Sequence, residues 1–283
     1  MPNKNYLSIY AKSFNWAGFF LPKKIYSKCS TLYDFCRTID NIADDEGNLS
    51  IKKNDLSNFK NNFNNKNFKN PIIKNMWTLM DDLKISSKIV HDLFDGVESD
   101  LKEKVQLDSK KDLLVYSYRV AGTVGLMMAK ILNVKNQNAL KSAIDLGIAM
   151  QLTNISRDVL EDAKNNRSYI HKNFESIKEN LKLADLFYKS SFSSIKEIPF
   201  RLRFSILVAR RVYRQIGYNI LKKKNMENFN LSKKIYVSNL SKVIQTILAI
   251  FDMIRLLLIK SEVHLRDKEH LLINEEIKLN ERF

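Results

Sequence analysis

The sequence predicts an all-α fold: one helical domain over residues 1–260, a single bundle around a central apolar cavity, followed by a charged C-terminal tail over 261–283. Three observations predict it. Only 7 Gly and 4 Pro occur among 283 residues, and a chain this short of breakers runs in long helices. Apolar residues recur at helical spacing along most of the chain, while no stretch alternates in the manner of a strand. Hydrophobic residues make up 45% of the composition, enough for a sizeable core and too many for global disorder.

The elements follow in order. Tyr6 to Leu21 is aromatic and apolar. Lys23 to Asp45 reads as one helix, with Ile25, Cys29, Leu32, Phe35, Cys36, Ile39 and Ile42 on its apolar side and Gly47-Asn48 as its stop. Lys52 to Asn70 is a low-complexity Asn/Lys/Phe stretch, expected to be a variable surface segment with some helix. Ile72 to Leu83 and Ser87 to Leu101 are the next helices. Lys111 to Leu132 is a long apolar helix with small residues, Ala121-Gly122-Thr123-Val124-Gly125, at its middle. Ala139 to Ala163 follows, then Leu181 to Ser191, Phe200 to Lys223 and Ser232 to Leu258. Beyond Ser261 the charges predict a mobile or loosely packed tail.

Composition excludes several classes. The formal charge of +16 admits nucleic acid, an anionic lipid surface or a diphosphate as partner. Its lysines are scattered beside asparagines, without the basic block and interleaved aromatics of a nucleic-acid surface, so no nucleic-acid partner is expected. The two cysteines, Cys29 and Cys36, make no disulfide framework, and no Cys/His spacing marks a zinc or iron–sulfur site. None of the four histidines has a partner at metal-ligand spacing, so none is assigned to chemistry. Met1 to Lys12 lacks a signal-peptide core. Val243 to Ile259 is short for a membrane span and contains Asp252 and Arg255, so it reads as a buried or interfacial helix. A cytoplasmic protein is expected.

Two stretches carry the chemistry. In the first, Asp40 and Asp44 stand four residues apart on one helix, with Arg37 just upstream. In the second, Asn154, Asp158 and Asp162 repeat the spacing, with Arg157 beside them. Four residues return a side chain to the same helix face. Clustered like charges on otherwise apolar helices are costly unless a cation neutralises them. Two such faces set opposite each other form an oxygen-ligand cage for a hard divalent cation, which keeps its other positions for water and phosphate oxygens. Ala121 to Gly125 admits two readings: close helix packing, or a flat wall for a long apolar ligand.

At these residues the chain resembles the phytoene synthase/squalene synthase family, the head-to-head prenyl diphosphate synthases. Asp34 to Asp44 looks like that family's first aspartate-rich motif and Gln151 to Tyr169 like its second. Tyr116 to Gly125 is similar to its substrate-channel helix. Val212-Tyr213-Arg214 and Ile235 to Ser238 match weaker signatures, and Gly96 with Asp100 a further small one. The likeness runs from about Tyr10 to Lys242, with the motifs in family order.

The resemblance implies an isoprenoid-synthase fold and Mg²⁺-dependent condensation of two identical allylic diphosphates, with Mn²⁺ as an alternative metal. It implies that Asp40, Asp44, Asn154, Asp158 and Asp162 hold metal and diphosphate. Arg37, Arg157, Arg167, Tyr169 and Tyr236 would contact the diphosphate or close over it. Ser13, Phe14, Val120, Ala121, Gly122, Gly125 and Gln151 would line the prenyl channels. The leading expectation is phytoene from two geranylgeranyl diphosphates through a cyclopropyl diphosphate, as in carotenoid biosynthesis, with NADPH not expected. Squalene, dehydrosqualene or presqualene diphosphate synthesis from farnesyl diphosphate is the alternative, and a non-catalytic relative acting in assembly is another. Asn41 stands where many members carry a further Asp, and Tyr10 where some carry His. Because the product is a C40 hydrocarbon, peripheral membrane association through the basic surface and the apolar C-terminal helix is expected.

Overall fold

A computed structural model describes residues 12–44, 47–232, 234–260 and 263–283. Tyr10 lies outside these residues, and so does the side chain of Ser13. Helices dominate: α1 Lys12–Gly18, α2 Lys23–Asp44, α3 Leu49–Asn64, α4 Pro71–Leu83, α5 Ser87–Ser99, α6 Lys110–Ser117, α7 Thr123–Ile131, α8 Gln137–Lys164, α9 Phe174–Ser190, α10 Phe200–Leu221, α11 Met226–Asn230, α12 Asn239–Leu258 and α13 Asp267–Asn274. The asparagines that enrich the sequence start many of them. Asn48, Asn70, Asn136, Asn173 and Asn225 each sit at an N-cap and accept a hydrogen bond from a first-turn backbone amide, satisfying a donor that the helix itself leaves unpaired.

At the centre lies α8, packed against α7, α9 and α10. Glycine lets α7 come close. A methyl group on Gly125 would fall 2.3 Å from the Ala143 carbonyl oxygen, and one on Gly147 would fall 2.2 Å from that of Ala121. Either contact is far inside van der Waals range, so the spacing of this helix pair depends on both glycines.

The helix expected over Lys111 to Leu132 is interrupted. Tyr118–Gly122 forms one π-helical turn between α6 and α7. Such a turn inserts one residue into the ladder and re-aims the side chains after it. Two two-residue strands, β1 (Val105–Gln106) and β2 (Arg167–Ser168), pair in parallel. They were not foreseen, because two residues carry no periodic signal.

Two expectations about packing are corrected. The Asn/Lys/Phe stretch is a regular helix, α3, whose Leu56, Phe59 and Phe63 are buried against Phe35 and Phe94. The spacing of four between the two phenylalanines builds an apolar stripe inside a polar composition. The C-terminal stretch is not loose over its described residues. It forms α13 and buries His264, His270, Ile273, Ile277 and Leu279. Arg282 clamps the buried Asp92 through both guanidinium arms at 2.9 and 2.8 Å.

Helix α12 is amphipathic in an unusual sense. Ala249, Asp252 and Leu256 face inward, with Asp252 held by Arg211 at 2.6 and 2.9 Å. Its outer face is apolar and open, with Phe251 61% and Leu258 81% exposed. Among the described residues no helix is long and apolar enough to cross a membrane.

Candidate active site

The two acidic faces meet across one cleft of about 230 Å³. Asp40 and Asp44 enter from the last turns of α2, while Gln151, Asn154, Arg157, Asp158 and Asp162 enter from α8. Arg167 on β2 and Tyr169 just after it close the rim. Val97, Val120 and Ile155 supply apolar lining. The β1–β2 pairing fixes this rim, since Val105 N donates to Asn166 O at 3.0 Å and Leu107 N to Ser168 O at 3.1 Å.

Charge is unevenly balanced within the cleft. Desolvation, joined by the neighbouring Asp44, pushes the Asp40 carboxyl up to about 7, against partial relief from Arg37 and Arg167. Desolvation and the nearby Asp158 push Asp162 up to about 7 as well. Asp158 is better supplied with positive charge. Arg157 grips it with Nε at 2.9 Å and Nη2 at 2.5 Å, and Lys234 Nζ stands 3.2 Å away. Arg167 reaches across to Asp44 at 3.2 Å. Desolvation and mutual repulsion raise these two carboxyls, and a hard cation placed between them would favour their ionised forms. One further feature fits a cation. Asn154 directs its Nδ2 toward Gln151 Oε1 at 3.5 Å, while its Oδ1 is inaccessible to solvent and has no hydrogen-bond partner. An orphaned amide oxygen beside carboxylates is a hard-cation ligand by chemistry.

Sequence reasoning missed Asp100 and Tyr116 as parts of the site. Asp100 caps the C-terminal end of α5. Tyr116 donates to its Oδ2 and Tyr169 to its Oδ1, both at 2.7 Å, and the two rings stack 4.6 Å apart. Desolvation raises the Asp100 pKa, and the two tyrosine hydrogen bonds oppose that rise. Its match to a minor family signature was the available signal. Lys234 was also missed; a lysine among many lysines carries no signal.

Several expected site residues lie elsewhere. Tyr236 is 65% exposed, close enough to act electrostatically on Arg157 but outside the cleft lining. Phe14 packs on Tyr213 with ring centroids 4.8 Å apart. Gly122 is buried against Tyr118 and Ile144, and Gly125 sits against the α8 backbone, so Gly125 serves close packing of α7 on α8. Ala121 turns its carbonyl oxygen toward Gly147 and does not line the cleft. A second pocket of about 330 Å³, lined by Thr153, Leu181, Tyr188, Gly217 and Leu221 among others, contains the Arg214–Asp185 pair and none of the acidic motif residues.

The fold is therefore an all-α bundle in which two acidic helix faces stand across one cleft. The sequence model of the squalene/phytoene synthase family matches residues 8–174, and the chain belongs to that family. It is 36% identical over 149 residues to the 15-cis-phytoene synthase of Paracoccus sp. (strain N81106 / MBIC 01143), covering 46% of this chain and 49% of that protein. It is 27% identical over 244 residues to the phytoene synthase of Rhodobacter capsulatus, covering 75% and 70%. The chain thus spans about half the length of several curated relatives it matches. Among solved structures, a dehydrosqualene synthase in complex with ligand superposes with a TM-score of 0.72 at 25% identity, over 88% of this chain and 94% of that one.

Proposed function

We propose that the chain is a phytoene synthase: a prenyltransferase that condenses two geranylgeranyl diphosphates head to head, with Mg²⁺, for carotenoid biosynthesis. One observation carries the reading above all. The i, i+4 carboxylates of α2 and α8 line the same cleft, together with an Asn154 Oδ1 that lacks a partner. Relatives named phytoene synthase, at 36% and 34% identity, support geranylgeranyl diphosphate as the substrate.

Asp40, Asp44, Asn154, Asp158 and Asp162 are the residues that would hold Mg²⁺. Bound there, the metal supplies Lewis-acid neutralisation of the diphosphate leaving group. Arg37, Arg157 and Arg167 stabilise the negative charge that develops as the diphosphate departs. Tyr116 and Tyr169, fixed on Asp100, hold the rim in place. Val97, Val120 and Ile155 keep water from the allylic carbon, where it would quench the cation.

A second reading has its own support. The dehydrosqualene synthase likeness favours farnesyl diphosphate and a C30 product. The test is incubation of the protein with Mg²⁺ and either prenyl diphosphate, with and without NADPH, followed by mass and ultraviolet identification of the hydrocarbon. A triene-absorbing C40 product without NADPH is expected; a C30 product from farnesyl diphosphate alone would replace this reading with the second.

The open face of α12, with Phe251, Ile254 and Leu258 exposed, supports peripheral attachment to a bilayer that receives the hydrocarbon. Flotation with anionic vesicles is the check, and complete recovery in the lipid-free fraction at low salt would refute attachment.

A further inference from the structure

A cluster of metal-ligating side chains stands outside the acidic cleft. Asp145, wholly buried in the first half of α8, meets two histidines from the C-terminal segment. His264 Nε2 lies 2.8 Å from its Oδ2 and His270 Nε2 lies 2.7 Å from its Oδ1. One ligand atom from each of the three residues falls within a sphere where all lie within 4.8 Å of one another. Thirteen helical steps, roughly 20 Å, separate Asp145 from Asp158, so this cluster is no part of the acidic cleft.

Beyond these three ligand atoms, the surroundings of the two histidines are compatible with a bound ion. His264 is flanked on both nitrogens: its Nδ1 lies 3.0 Å from Asp267 Oδ1. A carboxylate on the far nitrogen is the arrangement that orients a metal-bound imidazole. His270, only 3% exposed, leaves its Nδ1 buried without a partner. The ring is held by its Nε2 contact with Asp145 and by the His264 ring, whose centroid lies 4.3 Å away. Two imidazoles and one carboxylate suit Zn²⁺, whereas Mg²⁺ prefers oxygen ligands throughout.

We propose that Asp145, His264 and His270 bind Zn²⁺ and thereby fasten the C-terminal segment to α8. The other end of that segment is held by Arg282 on Asp92, which also accepts the Tyr118 hydroxyl at 2.9 Å. Tyr118 opens the π turn that carries Val120 into the cleft. The metal and Arg282 together would brace the wall of the active site from behind.

The test uses the full chain, freed of metal with a chelator and titrated with Zn²⁺ by calorimetry, with thermal melting in parallel. One Zn²⁺ per chain is expected, undisplaced by millimolar Mg²⁺, with Tm rising on the order of 5 °C at a hundredfold excess over Kd. Co²⁺ should give a visible absorption band at the same stoichiometry. His264→Ala and His270→Gln should each weaken Zn²⁺ binding at least tenfold, while Asp158→Asn should retain it. Absence of stoichiometric Zn²⁺ binding by the natively helical wild-type chain would overturn the proposal. So would binding that survives both histidine substitutions. Because the wild-type titration decides by itself, a variant that fails to fold leaves the proposal open to refutation.

Discussion

Tyr116 and Tyr169 lie face to face, 4.6 Å between ring centroids, and each donates a hydrogen bond to a different oxygen of Asp100. They come from opposite sides of the cleft in sequence, one from α6 and one from the residue after β2. The half-buried carboxylate thus ties the segment after β2 to α6. Removing one hydroxyl leaves a desolvated oxygen unpaired, which costs about 1–3 kcal/mol. Tyr169→Phe should lower unfolding free energy by that amount in a urea titration, and an unchanged midpoint would contradict the network.

The pH response follows from Asp40 and Asp162, both lifted from 3.8 to about 7. Between roughly pH 4 and pH 7 the folded, metal-free chain binds more protons at these groups than the unfolded chain does. Their contribution to stability therefore falls as pH rises through that window. Mg²⁺, which needs the ionised form, should reverse the trend. Melting curves from pH 5 to 8, with and without Mg²⁺, should diverge increasingly toward pH 8. For Asp40→Asn the metal-free slope should flatten.

Catalysis should depend on Asp158 far more than the fold does. Asp158→Asn keeps the shape of the side chain while removing the charge that faces Arg157 and Lys234. Turnover should fall by about 10²-fold or more, with the helical circular dichroism signal unchanged. Near-normal turnover would remove Asp158 from the machinery.

The Gly125 position separates packing from channel lining. Gly125→Ala places a methyl 2.3 Å from the Ala143 carbonyl oxygen, and overpacking of this kind costs about 1–3 kcal/mol. A drop of that size in unfolding free energy is expected. An unchanged stability with an altered product chain length would instead assign Gly125 to the channel wall.

Much of this was legible in the chain itself. The spacing of Asp40 with Asp44, and of Asn154 with Asp158 and Asp162, exposed both acidic faces because helical periodicity is local. The all-α class was legible through helical spacing and the scarcity of glycine and proline. Asp100 was not, because it stands alone at a helix end and finds its tyrosines 16 and 69 residues away. Phe59 and Phe63 were hidden by the asparagines and lysines around them. In the C-terminal stretch, charges that read as a solvated tail are ion-paired: Arg282 with Asp92, Lys111 with Glu275 and Lys110 with Glu269. The Asp145 cluster was illegible because its histidines lie 119 and 125 residues from the carboxylate.

The most direct test of the central claim is release of inorganic diphosphate from geranylgeranyl diphosphate by the purified chain in the presence of Mg²⁺. The account predicts release that stops on addition of chelator and is lost in Asp158→Asn. No release from natively folded protein supplied with Mg²⁺ and lipid or detergent would contradict the assignment of the acidic cleft as a diphosphate-ionising site.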